Sequence, residues 1–276
     1  MSSTILECLT NQVEVIDTST LRKLILISTS KGNQEKYYDD SEHRYIKMPF
    51  EYQGVLWKDY IVEYLSSRLI SEEHLLGVEV VQQDIAKTQE GISCVISKDF
   101  NFETGTEWVS IHRLLLANGL DIDDKMFPTD RFNLIKDLCL KEYKVDITNY
   151  LIVMIVLDYL LLNEDRHLNN FGICRTQEGE FTMAPLFDFG LGLFEHNKIY
   201  LNKPLSKALA YVECKPFAKT HDAQIEMLMH LGYGYKIKWI LEGLNDLPLE
   251  LFPSALAYEA DLTHFQYRGL ALLVHL

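Results

Sequence analysis

Three side chains in this chain have the types and spacing for one kind of chemistry: Asp165, Asn170 and Asp188. The first two bracket the run Asp165-Arg166-His167-Leu168-Asn169-Asn170, and the third opens Asp188-Phe189-Gly190. Phosphoryl transfer from ATP calls for such a set. One Asp orients the accepting hydroxyl, while an Asn and a second Asp hold magnesium on the phosphates. Asp165 is therefore the candidate catalytic residue, orienting the hydroxyl or taking its proton. Asn170 and Asp188 are the candidate metal ligands. His167 follows the Asp, whereas ordinary protein kinases place their His before it. Its expected role is to support the loop or the phosphates rather than to act as base.

These residues need elements to position them. An apolar helix, capped by Asp146 or Thr148 and running to about 162, leads into the motif, and Asn163-Glu164 breaks it. Short apolar runs at 171–174 and 181–187 flank the turn 176–179 and read as a hairpin. That hairpin folds the chain back, so Asn170 at its start and Asp188 at its end can share a hard cation. Further helices are expected at 106–116, 129–140, 222–231, 235–244 and 256–273.

The first third of the chain reads as strands with one helix. Strands are expected at 21–28, 44–48, 78–81 and 93–96, with a resumption at Tyr37-Tyr38 and a linker at 98–101. Lys47 lies between Ile46 and Met48 on the strand that Pro49 stops, placed to pair with nucleotide phosphates. Glu63, on a helix expected over 57–70, is its natural partner, with Glu51 and Glu72 flanking the same region. Gly32 lies in the polar turn 28–33, with Gln34 and Lys36 just beyond it. On residue types alone these are a turn glycine and two surface side chains, since no G-x-x-x-x-G-K-[ST] is present.

Composition sets the outer bounds. A chain of 276 residues, 47% hydrophobic, can bury one or two cores. The expected fold is α+β and bilobal, like a protein kinase: a small β-rich N-lobe at 1–98 and a larger, mostly helical C-lobe at 99–276. The net charge of -14 argues against direct binding to nucleic acid and against anionic membrane surfaces. Five scattered cysteines, Cys8, Cys94, Cys139, Cys174 and Cys214, with no C-x-x-C, fit reduced thiols in a cytoplasmic protein. The N-terminus carries no secretory pattern, and the apolar run 150–162 is too short to span a bilayer and contains Asp158. No zinc-protease or nucleophile-elbow motif is present, and His221 and His230 lack ligand spacing.

The run from Asp165 to Gly172 together with Asp188-Phe189-Gly190 resembles the catalytic and metal loops of HipA-like serine/threonine kinases. That family is related to the phosphoinositide 3-kinase group, which shares the D-R-H-x-x-N order. Gly32-Asn33-Gln34-Glu35-Lys36 resembles the family's G-x-Q-x-K phosphate loop, and Tyr45-Ile46-Lys47-Met48-Pro49 its I-K-L-P strand. The resemblance implies ATP and Mg2+ as cofactors and a protein Ser/Thr hydroxyl as acceptor. It makes Asp165 the catalytic Asp, Asn170 and Asp188 the metal ligands and Lys47 the ATP lysine. It also implies autophosphorylation at Thr29, flanked by Ser28 and Ser30, and a toxin restrained by an antitoxin or companion small protein. Two departures accompany it. Little chain precedes the first strand, so a compact form without the N-terminal subdomain is expected, and D-F-G is closer to the lipid-kinase pattern. A phosphoinositide-type lipid kinase and a nucleotide-binding pseudokinase are the alternatives.

Overall fold

The computed structural model describes residues 13–24, 34–52, 54–57, 59–123, 125–192 and 212–244. The expected phosphate-loop glycine Gly32, the candidate phosphorylation positions Ser28, Thr29 and Ser30, and the expected helix at 256–273 lie outside these residues. Among the described residues the fold is α+β, with a curled sheet and one α-helix at the N-terminal side and a helical body beyond.

The six-stranded sheet has the order β1-β7-β8-β4-β3-β2. Its strands are β1 (Val15–Ile16), β2 (Arg22–Leu24), β3 (Lys36–Asp39), β4 (Arg44–Lys47), β7 (Gln83–Thr88) and β8 (Ser93–Lys98). All neighbours are antiparallel except β1 and β7. A separate ribbon, β5 (Glu51–Tyr52) with β6 (Val55–Leu56), leads to the helix α1 (Asp59–Ser66). On β4, Ile46 points into a small core with Ile16, Met48, Ala86 and Cys94. Alternation along a strand then turns Lys47 to the other face. Register places Lys47 directly opposite Lys36 on β3. Directly opposed cross-strand residues share a face, and two like charges there repel.

The helical body is built around α5 (Thr148–Leu161), preceded by α3 (Ile111–Ala117) and α4 (Pro128–Tyr143). The short α2 (Phe100–Thr104) joins the two parts, capped by the Asp99 side chain. Every residue of α5 from Tyr150 to Leu161 is buried, including Asp158. A helix apolar all round belongs in the centre of a core. The later helices α6 (His221–His230) and α7 (Gly234–Glu242) pack on it. Backbone bonds tie the sheet side to the helical body: Val81 N–H to Leu186 O, Leu186 N–H to Glu79 O and Ser71 N–H to Gly243 O, each 2.8 Å.

Several elements differ from the expectations drawn from sequence. Residues 107–110 form strand β9 (Glu107–Ser110), not the first turn of a helix. It pairs with β10 (Gly172–Arg175), which pairs in turn with β11 (Phe181–Met183). Helix α3 starts only after Ser110, whose hydroxyl accepts from the Arg113 N–H. The expected strand at 78–81 is reduced to a bridge between Val80 and Leu186, and the true strand, β7, follows it. Its buried positions include Gln83 and Thr88, so its apolar pattern is weak. Helix α1 is shorter at both ends than the expected 57–70. Phe127 rather than Thr129 precedes α4, with Pro128 at its first position. Residues 98–101, expected as a linker, already enter α2.

Gly172 lies where β10 meets β9 most closely. A Cβ there would stand 2.1 Å from Val109 O and 2.9 Å from Ser110 Cα. Both obstacles are backbone, so they cannot rotate away. Gly172→Ala is expected to destabilise the fold by about 1–3 kcal/mol, the ordinary range for overpacking. Urea denaturation followed by circular dichroism measures it, and an unchanged midpoint would contradict the close approach.

Candidate active site

Helix α5 ends at Leu162, which adopts a left-handed φ of 53°. The chain then turns back on the helix: Asn163 donates through Nδ2 to Asp158 Oδ1 (2.8 Å). Arg166 is fully buried and organises the loop around it. Its Nε and one terminal nitrogen grip Asp158, with bonds of 2.9 Å to Oδ2 and 2.9 Å to Oδ1. Its other terminal nitrogen donates to Asn170 O (3.2 Å) and Phe187 O (2.6 Å). The guanidinium carbon lies 4.4 Å from the centre of the Phe189 ring. Burial opposes the Arg166 charge, but Asp158 beside it holds the guanidinium above its ordinary pKa. One side chain thus fixes the backbone at Asn170 and next to Asp188.

Asn170 Nδ2 donates to Asp165 O (3.0 Å). That bond assigns the amide nitrogen to the loop and leaves the carbonyl oxygen as the group able to ligate a cation. The Asn169 N–H donates to His167 Nδ1 (3.2 Å), so the neutral ring carries its proton on Nε2. Nε2 lies 3.9 Å from Asp165 Oδ2. His167 thus faces Asp165 from beyond hydrogen-bond distance. A donor from elsewhere in the chain does reach this carboxylate: Lys215 Nζ bonds Asp165 Oδ1 at 2.9 Å.

Asp188 also has a left-handed φ, 64°, which is uncommon for a residue with a side chain. Lys47 from β4 donates to Asp188 Oδ1 (2.9 Å) and pairs with Glu63 Oε1 of α1. The other Glu63 oxygen accepts from the Phe189 N–H (3.0 Å) and from Gln83 Nε2 (2.9 Å). Gly190 has to be glycine-small here, because a Cβ would lie 3.0 Å from Glu63 Oε1 and 3.3 Å from Lys47 Nζ. The electrostatics are those of a partly shielded cluster, with Glu63 buried and Lys47 and Asp188 reaching its open side. Burial works against the Lys47 ammonium, but Asp188, Glu63 and Asp59 outweigh it and raise its pKa. Burial likewise would raise the Asp188 carboxyl, yet Lys47 and Lys36 hold it well below the usual carboxylate range. Burial pushes Asp59 up, with Lys47 opposing. Lys36 is pushed down by burial and by the facing Lys47.

The structure brings Asp165, His167 and Asn170 together on one loop, and joins Lys47, Glu63 and Asp188 by direct bonds. Lys36 stands on the same face as Lys47. Gln34 is engaged elsewhere: its amide donates to Met48 O (2.8 Å) and to Asp59 Oδ2 (2.6 Å), tying the chain just ahead of β3 to α1. Reasoning from sequence missed Arg166 as an anchor, Gln83 as a second support for Glu63, and Lys215. Only Asp158 left a signal, as a lone carboxylate in an apolar helix that needs a cation nearby. Among the described residues no group of three or more His, Cys, Asp and Glu side chains is disposed to hold a metal ion. Magnesium takes hard oxygen donors and few from protein, so Asn170 with Asp188 is a fitting pair when phosphate oxygens complete its shell.

Removing Asp158 would leave a guanidinium buried without its counter-charge. Asp158→Ala is expected to cost about 3–5 kcal/mol. Chemical denaturation measures this, and a loss under about 1 kcal/mol would remove Arg166 from its central place.

No protein-family model matches the sequence, and no curated protein does. Solved structures do match. The crystal structure of the Helicobacter pylori proinflammatory kinase CtkA aligns with a TM-score of 0.54 at 18% identity, covering 94% of this chain and 98% of that one. HipA of Shewanella oneidensis, solved with HipB and operator DNA, aligns with a TM-score of 0.43 at 13% identity, covering 95% of this chain and 73% of that one. At these identities the likeness is one of fold, and it is the CtkA match that carries it: this chain has a bilobal kinase fold.

Proposed function

We propose that the protein is an ATP- and Mg2+-dependent Ser/Thr protein kinase of HipA type. The observation that carries the reading is the direct bonding of Lys47 to both Glu63 and Asp188. A strand lysine held by a helix glutamate beside a metal-binding Asp is the arrangement that phosphoryl transfer requires. In the proposed reaction Asp165 orients a Ser or Thr hydroxyl and accepts its proton. The hydroxyl oxygen forms a bond to the γ-phosphorus, the bond to the β,γ-bridging oxygen breaks, and ADP leaves. Asn170 and Asp188 would hold the cation, which when bound neutralises phosphate charge. Lys47 and Lys36 face the same polyanion from the sheet. A role as a toxin checked by an antitoxin rests on the motif resemblance alone, and a cytoplasmic location on the five scattered cysteines. No helix among the described residues is long and apolar enough to cross a membrane.

Two variants separate binding from chemistry. Asp165→Ala should lower phosphate transfer by about 100- to 10,000-fold, the usual contribution of a positioned acid–base group. It should leave the thermal shift produced by ATP with Mg2+ intact. Transfer of labelled phosphate at the wild-type rate by Asp165→Ala would remove Asp165 from the catalytic role, and binding without transfer by the wild type would end the kinase assignment in favour of the pseudokinase. Lys36→Met removes a repelled, desolvated charge. It should stabilise the free protein by about 0.5–2 kcal/mol while weakening nucleotide binding, the common trade between stability and function. Calorimetric melting with and without nucleotide checks both halves. Incubation with ATP followed by mass spectrometry of the peptide bearing Ser28, Thr29 and Ser30 tests self-phosphorylation, and an unmodified peptide from active enzyme would exclude it.

A further inference from the structure

The contact between Lys215 and Asp165 belongs to neither of the sequence motifs. Lys215 lies fifty positions beyond Asp165, in the irregular stretch ahead of α6. That stretch is closely built on both sides of the lysine. Before it, Cys214 is buried, its N–H donating to Lys219 O (3.0 Å) and its thiol to Ala218 O (3.3 Å). After it, the Phe217 N–H donates to Gln224 Oε1 (3.2 Å), and the buried Phe217 ring packs 5.5 Å from that of Phe132. Pro216 O accepts from Arg131 (3.4 Å). The backbone is thus held against α4 and α6 while the ammonium reaches out to the catalytic loop.

Stability does not explain the pair. The side chains are 47% and 31% exposed, and ion pairs so open to water contribute little to folding. Position does explain it. Asp165 carries two oxygens. Lys215 holds Oδ1 at 2.9 Å, and the imidazole of His167 stands 3.9 Å from Oδ2. A donor on one oxygen, reaching from a closely packed stretch, biases the carboxylate toward one orientation and directs its second oxygen to a hydroxyl. Catalysis by positioning is sensitive to this, since a displacement near 1 Å costs about 100-fold.

We propose that Lys215 is a positioning residue for phosphoryl transfer, its ammonium holding Asp165 Oδ1 so that Oδ2 meets the accepting hydroxyl. This rests on the kinase assignment above. The test is initial-rate kinetics with labelled ATP on four proteins: wild type, Lys215→Ala, Lys215→Arg and Lys219→Ala. The acceptors are the protein itself and myelin basic protein. Lys219 lies exposed on the same stretch and serves as the control. Lys215→Ala should lower kcat by roughly 10- to 100-fold and leave the KM for ATP within about twofold, the signature of an interaction needed for the chemical step. Lys215→Arg, which keeps a donor and a charge, should recover most of the rate, and Lys219→Ala should match wild type. The inference is overturned if Lys215→Ala keeps its kcat, if its defect lies in the KM for ATP, if Lys215→Arg is as slow as Lys215→Ala, or if the melting temperature falls in step with the rate. An active wild type untouched by Lys215→Ala removes this inference alone. A wild type that transfers phosphate to neither acceptor removes the kinase assignment and this inference with it.

Discussion

The pair formed by Arg166 and Asp158 is the constraint on which the rest of the site depends. A charged group taken fully out of water needs both a counter-charge and partners for its remaining hydrogens. Arg166 finds the first on α5 and the second on the backbone of Asn170 and Phe187. Because the guanidinium is planar and rigid, its partners are set at fixed angles to one another. Helix α5, the loop from Asn163 to Asn170 and the approach to Asp188 are therefore referenced to one group of atoms. The Phe189 ring stacked near it extends that reference to the start of the next turn.

Glu63 performs the corresponding task across the cleft. Its two oxygens serve different masters: one takes the ammonium of Lys47, the other takes Gln83 and the backbone of Phe189. A carboxylate with both oxygens committed has little freedom, so α1 cannot shift without disturbing the sheet and the Asp188 turn together. The left-handed backbone of Asp188 is held between these two anchors, and strain of that kind persists only where surroundings over-determine it.

How far the sequence foretells this differs by residue, for physical reasons. Asp165, Asn170 and Asp188 stand out in sequence because phosphoryl transfer would call for their types, and the loop and hairpin that carry them follow from the apolar runs around them. Lys47 and Glu63 are legible through strand alternation and helix placement. Strand β7 is not, because its buried positions include Gln83 and Thr88, and a polar side chain satisfied inside the fold looks like a surface one in sequence. Strand β9 reads as helix because it runs straight into α3, with apolar residues continuing through both; only pairing with β10 decides it. Gln34 reads as part of the phosphate loop, yet its amide is bonded to Met48 and Asp59, contacts that depend on how α1 packs. Lys215 follows no period and sits in no motif. It enters the site only because a distant stretch is folded against the loop.

The all-round apolar character of α5 has a consequence outside the folded state. While the chain is being synthesised, 150–162 emerges as a greasy segment that membrane-insertion machinery could mistake for its own client. Asp158 sits within it. A single aspartate near the centre of an inserting helix costs about 3 kcal/mol. The carboxylate that later anchors Arg166 thus also marks the nascent segment as unfit for a bilayer, and its cationic partner follows only eight residues behind.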